Sequence, residues 1–177
     1  MDLREKKTLR AIHNAFLELR GQKPLERIRV KELVELAEIS KGTFYLHYKD
    51  IYDLSEKLQK EVVENVMNEI KHPDAILNNK SLFTQELSNA FLANINMINI
   101  LFADYQNSVL PYQIEKNIRE KLKHYQADFE ADPFKNVSIT YQVYGGYFAF
   151  QNHYKQMGTE KVIDSISRIS GKLADIQ

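Results

Sequence analysis

The chain carries the sequence ELVELAEISKGTFYLHYKD at residues 32–50. Its first half predicts a helix, because apolar residues such as Leu33 and Ala37 recur at the spacing of one helical face. That pattern then breaks, and Ser40 stands where the hydroxyl of an N-cap residue can accept from the free amides of a following helix. The stretch therefore predicts two short helices separated by a tight turn.

The second of these helices is predicted over residues 41–48. Phe44 and Tyr48 are four residues apart, so we expect both to face inward. The other positions supply a cation, a glycine, a hydroxyl and two polar rings, a composition that suits a helix entering the major groove of DNA. The alternative is a helical hairpin that only looks like a DNA reader, since generic patterns of this kind misfire.

The run ISKGTFYLHYKD resembles the recognition-helix signature of TetR-type transcriptional regulators. A helix predicted ahead of it, at residues 8–20, fits the same pattern, and the resemblance covers residues 4–62. It implies an all-α protein with an N-terminal three-helix helix-turn-helix DNA-binding domain and a helical C-terminal effector and dimerisation domain. The implied domains are residues 1–50, with a linking helix that reaches to about residue 62, and residues 51–177.

Nine residues in and beside the two short helices are expected to contact DNA. The side chains placed to hold phosphates are those of Lys41, Thr43, Tyr45 and Lys49. Carry-over from the matching positions of the family assigns base edges to Lys31, Gly42, Leu46 and His47. Arg29 completes the set, at a position where the family more often has a threonine or serine cap. Tyr45 has the alternative of packing beneath the helix, because aromatic residues at helical spacing are usually core.

Two residues depart from the family pattern. Ile51 stands where a lysine usually opens the fourth helix and clamps a phosphate, and Glu38 stands where the turn usually has a glycine. Glu38 would have to adopt a left-handed conformation, which costs a non-glycine residue on the order of 1 kcal/mol. Glu38 also puts a negative charge near DNA, and Ile51 lacks the charge of the usual lysine. Both departures therefore predict weaker binding of phosphates.

The rest of the sequence shows helical periodicity and no alternation typical of strands. Asp2 and Glu5 have capping-box spacing, Gly21 is expected to end the first helix, and a fourth helix begins near Asp50 and extends to about Ile70. A loop is expected at residues 72–80. Five further helices are predicted at about residues 81–94, 97–104, 112–129 and 133–157, and from Thr159 onward.

The second half resembles the effector and dimer domain of the same family. The residues that we propose to line an effector pocket are Phe83, Phe91, Phe102, Tyr105, Tyr112, Tyr141, Tyr144 and Phe148. The residues that we propose for a dimer interface are Gly145, Gly146, Ile163, Ile166 and Ile169. Core filling by the aromatic residues, and a kink or packing within the subunit at the double glycine, are the alternatives.

Charge is distributed unevenly along a chain whose formal net charge is zero. Residues 1–60 hold 13 Lys and Arg against 10 Asp and Glu, a balance of +3, which leaves −3 for residues 61–177. The asymmetry has the direction expected of a DNA-binding domain attached to a body of opposite sign.

Several classes of function are disfavoured. The chain has no cysteine, which excludes disulfides, thiolate metal sites and a cysteine nucleophile. The five histidines are dispersed, and no phosphate-binding glycine loop, nucleophile elbow or metal motif occurs, so we expect neither an enzyme nor a cofactor. No signal peptide and no membrane span are expected, which is compatible with a cytoplasmic protein.

The sequence thus predicts a homodimeric transcriptional regulator that binds a palindromic double-stranded DNA operator, with a repressor released by a small-molecule effector as the favoured form. The alternative is a TetR-like co-activator or protein-interaction adaptor with weak autonomous DNA binding, which the neutral charge, Glu38 and Ile51 favour.

Overall fold

A computed structural model describes residues 2–103, 109–126 and 129–174 of the chain. Across these ranges every regular element is helical and no strand is present, as the sequence predicted. The α-helices are α1 (Leu3–Gln22), α2 (Val30–Leu36), α3 (Lys41–His47), α4 (Ile51–Glu69), α5 (Ala75–Asn78), α6 (Lys80–Ala93), α7 (Ile95–Leu101), α8 (Val109–Leu122), α9 (Pro133–Met157) and α10 (Thr159–Ala174). Among the helices described, none combines the length and the apolar character needed to cross a lipid bilayer.

The chain divides into two compact units. The first consists of Met1–Val62 and Asn96–Gln106, and the second of Val63–Ile95 and Asn107–Gln177. The division falls inside α4, so this one helix contributes residues to both units. The segment Asn96–Gln106 belongs to the range that the sequence analysis assigned to the second domain.

The first unit is built around side chains that are completely removed from solvent. These side chains come from α1, α2, α3 and α4 and are Ile12, Phe16, Leu33, Phe44 and Leu54. Burial of each apolar side chain of this size stabilises a fold by roughly 1.5–3 kcal/mol, which explains why the short helices α2 and α3 can hold together with α1 and α4. Within the same unit the Gln59 amide donates a hydrogen bond of 2.9 Å to the Leu101 carbonyl, which joins α4 to the end of α7.

The second unit packs α6 and α9 against α10, and α8 against α9. Phe83 and Phe129 are among its fully buried side chains. Lys80, at the start of α6, is buried, and its ammonium donates to the Ser138 hydroxyl and to the Leu173 carbonyl, each at 3.3 Å. This one side chain therefore ties the start of α6 to α9 and to the last turn of α10.

The starts of three helices follow from local sequence. The Ser40 hydroxyl accepts from the amide of Thr43 at 3.0 Å, and Asp50 accepts from the amide of Asp53 at 2.8 Å. Asp132 likewise caps α9, which opens with proline at its first position and ends at Gly158, where φ is 84°. The predicted starts of α3, α4 and α9 are confirmed, because each depends on a side chain that completes a local hydrogen bond.

Two predictions for the ends of α1 are wrong. Helix α1 continues past Gly21 to Gln22, and among the described residues only Glu38 and Gly158 have a positive φ, so Gly21 makes no left-handed turn. Asp2 precedes α1, but its side chain makes no cap hydrogen bond.

The segment predicted as a loop, residues 72–80, contains the one-turn helix α5 and the start of α6. Ala75 and Ile76 are buried in the second unit, so packing overrides the local turn signal. Helix α8 begins at Val109 and ends at Leu122, earlier than predicted, and a single 3-10 turn follows at Phe129–Ala131.

Candidate functional site

Helix α3 presents two different faces. Phe44 is completely buried and Tyr48, which ends the helix, is 7% exposed. On the opposite side Leu46 is 82% exposed and Tyr45 is 56% exposed, next to the exposed Lys41. An exposed leucine contributes little to the free energy of folding. The stability of the fold therefore does not explain which residues lie on the outward face of α3.

None of the nine residues predicted to contact DNA is buried. Thr43 and His47 are half-buried, and the other seven, which are exposed, are Arg29, Lys31, Lys41, Gly42, Tyr45, Leu46 and Lys49. The Tyr45 ring lies edge-on to Phe44, with ring centroids 5.4 Å apart, but more than half of its surface faces solvent. This placement disfavours the alternative in which Tyr45 packs beneath the helix.

The turn before α3 closes α2 with a Schellman motif. The amide of Ile39 donates to the Val34 carbonyl at 3.0 Å, and the amide of Glu38 donates to the Glu35 carbonyl at 3.3 Å. This pair of bonds needs a left-handed residue, usually glycine, at the position of Glu38. Glu38 has a φ of 55°, as the sequence analysis predicted for it, and its side chain is exposed beside α3.

The start of α2 is held by carboxylate hydrogen bonds. Glu32 accepts from the Lys23 ammonium at 2.6 Å and from the backbone amide of Arg29 at 2.9 Å. These two bonds, the one from Lys23 first, lower the pKa of Glu32. The Arg29 guanidinium carries only donors, so it cannot accept a backbone N–H and makes no cap bond of its own. Its side chain is exposed at the edge of the α2–α3 surface.

The end of α3 is fixed by Lys57 on α4. Its ammonium donates to the carbonyl of His47 at 3.1 Å and to Asp53 at 3.0 Å, and it lies 5.0 Å from the centroid of the Tyr48 ring. Asp53 also accepts from the backbone amide of Lys49 at 2.9 Å. Lys57 was not among the residues predicted to matter here, although its spacing of four residues from Asp53 is a signal that could have identified it.

Ile51 begins α4 and is 5% exposed. The position at which TetR-type regulators usually have a phosphate-binding lysine therefore holds a core residue in this chain. Lys49 and Lys57, both exposed, are the cations nearest to it in the sequence on either side.

The second unit contains a cavity of about 60 Å³. Its lining residues come from α6, α8, α9 and α10, and they are Phe83, Thr84, Leu87, Ser88, Phe91, Ile114, Gln142, Val143, Gly146, Tyr147, Phe150 and Ile166. From the predicted effector set only Phe83 and Phe91 are present, and from the predicted dimer set Gly146 and Ile166.

The other predicted effector and dimer residues do not line this cavity. Phe102 is buried in the first unit, and Tyr105 lies outside the described residues. Tyr144 and Ile163 are half-buried. The remaining predicted residues are exposed, and they are Tyr112, Tyr141, Gly145, Phe148 and Ile169.

The difference comes from the phase of α9. Its buried face is formed by Ile139, Val143, Tyr147 and Phe150, whereas the predicted residues Tyr141 and Phe148 lie on a parallel, exposed aromatic stripe. Both series have helical spacing, so periodicity alone cannot choose between them. Within the described residues, no group of three or more His, Asp or Glu side chains is arranged to hold a metal ion.

Comparison of the chain with protein-family models, with curated proteins and with solved structures finds no match.

Proposed function

We propose that the chain is a homodimeric, TetR-like transcriptional regulator that binds double-stranded DNA through α3. The observation that carries the proposal is the outward face of this helix. A short helix with a firm N-cap, a buried Phe44 and the exposed side chains of Lys41, Tyr45 and Leu46 has the form of a helix that enters a major groove. Helices α2 and α3 would then be the helix-turn-helix of an N-terminal DNA-binding domain.

The exposed residues divide by the kind of contact that they can make. Lys41 and Lys49 would bind phosphates as cations, and the Tyr45 hydroxyl would add a hydrogen bond. Gly42 would allow close approach of the backbone, and Leu46 can contact only apolar groups, such as the methyl group of thymine. Cations at both ends of α3 would hold the helix in register while its central residues read bases.

A homodimer would place two α3 helices on a palindromic operator, in half-sites about 34 Å or more apart. The apolar residues exposed on α9 and α10 support this assembly, because an exposed apolar stripe needs a partner; they include Val137, Tyr141, Phe148 and Ile169. A cytoplasmic repressor released by a small molecule in the second unit is the form that we propose. The ligand would act through different affinities for the DNA-bound and free states.

The test is a gel shift at low salt with DNA from upstream of the gene for this chain. Lys41→Ala combined with Tyr45→Ala should weaken binding about tenfold or more, because a phosphate contact and a groove contact are lost. Lys116→Ala combined with Tyr125→Ala is the matched control, since it removes the same two residue types from exposed positions of the second unit. Equal affinity of the two double variants would contradict the proposal.

A second candidate function is a co-activator or adaptor that binds another protein and has little DNA affinity of its own. Glu38 and Ile51 favour it, because one adds a negative charge beside α3 and the other replaces a phosphate-binding cation with a buried side chain. A stable heterologous partner, together with no DNA shift at low salt, would favour this function. Low salt is the fair condition, because phosphate contacts weaken steeply as salt rises.

A further inference from the structure

The cavity in the second unit is lined without any charged side chain. Its buried wall consists of apolar and aromatic groups, with Phe83, Phe91, Val143 and Phe150 among them. Moving an ion into such surroundings is strongly unfavourable without a partner of opposite charge. The lining therefore excludes phosphates, carboxylates, metal ions and ammonium compounds, and it favours an uncharged molecule with an apolar body.

The polar groups of the lining leave an acceptor available. The Thr84 hydroxyl already donates to the Lys80 carbonyl at 2.8 Å, and the Gln142 amide group donates to the Ser138 carbonyl at 3.2 Å. The oxygen Oε1 of Gln142 is buried, and no donor in the described part of the chain reaches it. An acceptor in this state is unfavourable, and it would be stabilised by a ligand that brings an N–H or O–H group.

The size of the cavity restricts the ligand further. At about 60 Å³ it is less than half of the roughly 150 Å³ of an engineered apolar cavity that holds benzene. Several lining residues are only half-buried, among them Leu87, Ser88 and Gly146, so the cavity reaches the surface. A molecule with a single ring can thus place its polar end inside the cavity. The rest of the ring would then lie between these half-buried side chains.

We propose that this cavity binds small, uncharged, apolar molecules that carry one hydrogen-bond donor, and that the donor pairs with Oε1 of Gln142. The inference rests on the proposed function in one respect only, namely that such a molecule would be the effector. Binding itself requires neither DNA nor a dimer.

Phenol and fluorobenzene are the probes, because they are similar in size and only phenol has a donor. Titration of the full chain, followed by NMR, should show phenol binding about fivefold more tightly, the ratio given by one net hydrogen bond. In Gln142→Met, which keeps the length of the side chain and removes the acceptor, the preference for phenol should be lost or reversed, because its hydroxyl would enter the cavity without a partner. Equal affinities in the unchanged protein, or a preference for phenol that persists in Gln142→Met, would overturn the assignment of Gln142.

Substitution of two adjacent glycines of α9 tests whether the probes bind in this cavity. A methyl group at Gly146 would enter the cavity wall, 3.6 Å from Cγ2 of Ile166, whereas one at the exposed Gly145 meets no atom within 4 Å. Gly146→Ala should therefore weaken the binding of both probes, and Gly145→Ala, with the same gain in helix propensity, should leave it unchanged. If both variants bind alike, or if folded protein binds neither probe, the proposal fails.

Failure of this inference and failure of the proposed function are distinguishable. Phenol binding that follows the Gln142 and Gly146 variants in a chain that shifts no DNA would support the cavity site and contradict the regulator. A DNA shift in a chain that binds neither probe would overturn the cavity site and leave the regulator in place.

Discussion

The Tyr48 hydroxyl lies 2.8 Å from Nε2 of His13, and this hydrogen bond joins α1 to the residue that ends α3. Burial lowers the pKa of His13, an effect that the Glu61 carboxylate partly opposes. Burial, with smaller contributions from Glu61 and Asp53, raises the pKa of Tyr48 to about 12. Both groups are therefore neutral near pH 7, and the packing of α3 depends on a histidine that stays unprotonated.

We expect the free energy of unfolding to decrease as the pH falls below the ordinary histidine pKa of about 6.5. In that range the unfolded chain takes up a proton that folded His13 does not yet bind, so acid favours unfolding until the lowered pKa of the folded state is reached. His13→Gln cannot titrate, and its stability should vary less between about pH 7.5 and pH 5.5. Urea unfolding at several pH values measures the free energy of unfolding of the unchanged protein and of His13→Gln.

The matched control for this titration is His153→Gln, which removes an exposed histidine of α9. It should keep the pH dependence of the unchanged protein. If His13→Gln and His153→Gln lose stability equally as the pH falls, the neutral form of His13 does not hold α3.

Lys57 is expected to position α3 for DNA without contributing much to stability. Its side chain is 54% exposed, and an exposed ion pair such as that with Asp53 contributes less than about 1 kcal/mol. Lys57→Met should nevertheless weaken DNA binding several-fold, because the carbonyl of His47 loses its donor and the end of α3 is less firmly held. Gel shifts and urea unfolding of the same preparations give the two quantities.

The salt dependence of DNA binding separates positioning from direct contact. A lost phosphate contact reduces the slope of log affinity against log salt by about 1, whereas a misplaced helix weakens binding with the slope preserved. Lys116→Met, in the second unit, is the control for loss of one exposed lysine. A reduced slope for Lys57→Met would mean that Lys57 contacts DNA itself.

Two glycines should respond to the same substitution in opposite directions. Gly158 joins α9 to α10 with a φ of 84°, a conformation that costs other residues about 1–3 kcal/mol, so Gly158→Ala should destabilise the protein by that order. Gly21 is inside the last turn of α1 with open space around it, so Gly21→Ala should be neutral or stabilise by up to about 1 kcal/mol. Urea unfolding measures both, and stabilisation by Gly158→Ala would contradict the stated backbone conformation.

Features that depend on neighbouring residues could be predicted from the sequence. The caps at Ser40 and Asp132 each follow from a few adjacent residues, whereas the left-handed Glu38 was implied by the resemblance to TetR-type regulators; the structure contains all three. The outward face of α3 was also predictable, because Phe44 and Tyr48 fix which side of so short a helix turns inward.

Features that depend on distant packing could not be predicted in the same way. Helix α9 has two stripes with helical spacing, and contacts with α6, α8 and α10 decide that Val143 and Tyr147 are buried while Tyr141 is exposed. The aromatic residues of α9 proposed for an effector pocket lie on the stripe that the cavity does not include, and Gln142 was not among the proposed residues. Likewise α5 forms where the sequence has turn signals, because burial of Ile76 outweighs them.

Glu38 combines a conformational cost with an unfavourable charge, and substitution can separate the two. Glu38→Gly removes the cost of the left-handed conformation, which should stabilise the protein by up to about 1 kcal/mol, less the extra entropy that glycine gives the unfolded chain. Glu38→Gln keeps the conformation and removes only the charge, so its stability should stay within about 0.5 kcal/mol of the unchanged protein.

DNA affinity should instead rise in both Glu38 variants, because each removes the same negative charge beside α3, and the gain should shrink as salt screens that charge. Urea unfolding and gel shifts at two salt concentrations measure the two effects on the same proteins. A Glu38→Gly variant that is clearly less stable than Glu38→Gln would contradict the conformational cost at this turn. Unchanged DNA affinity in both would mean that the α2–α3 turn does not approach phosphates, which would favour the adaptor function over DNA binding.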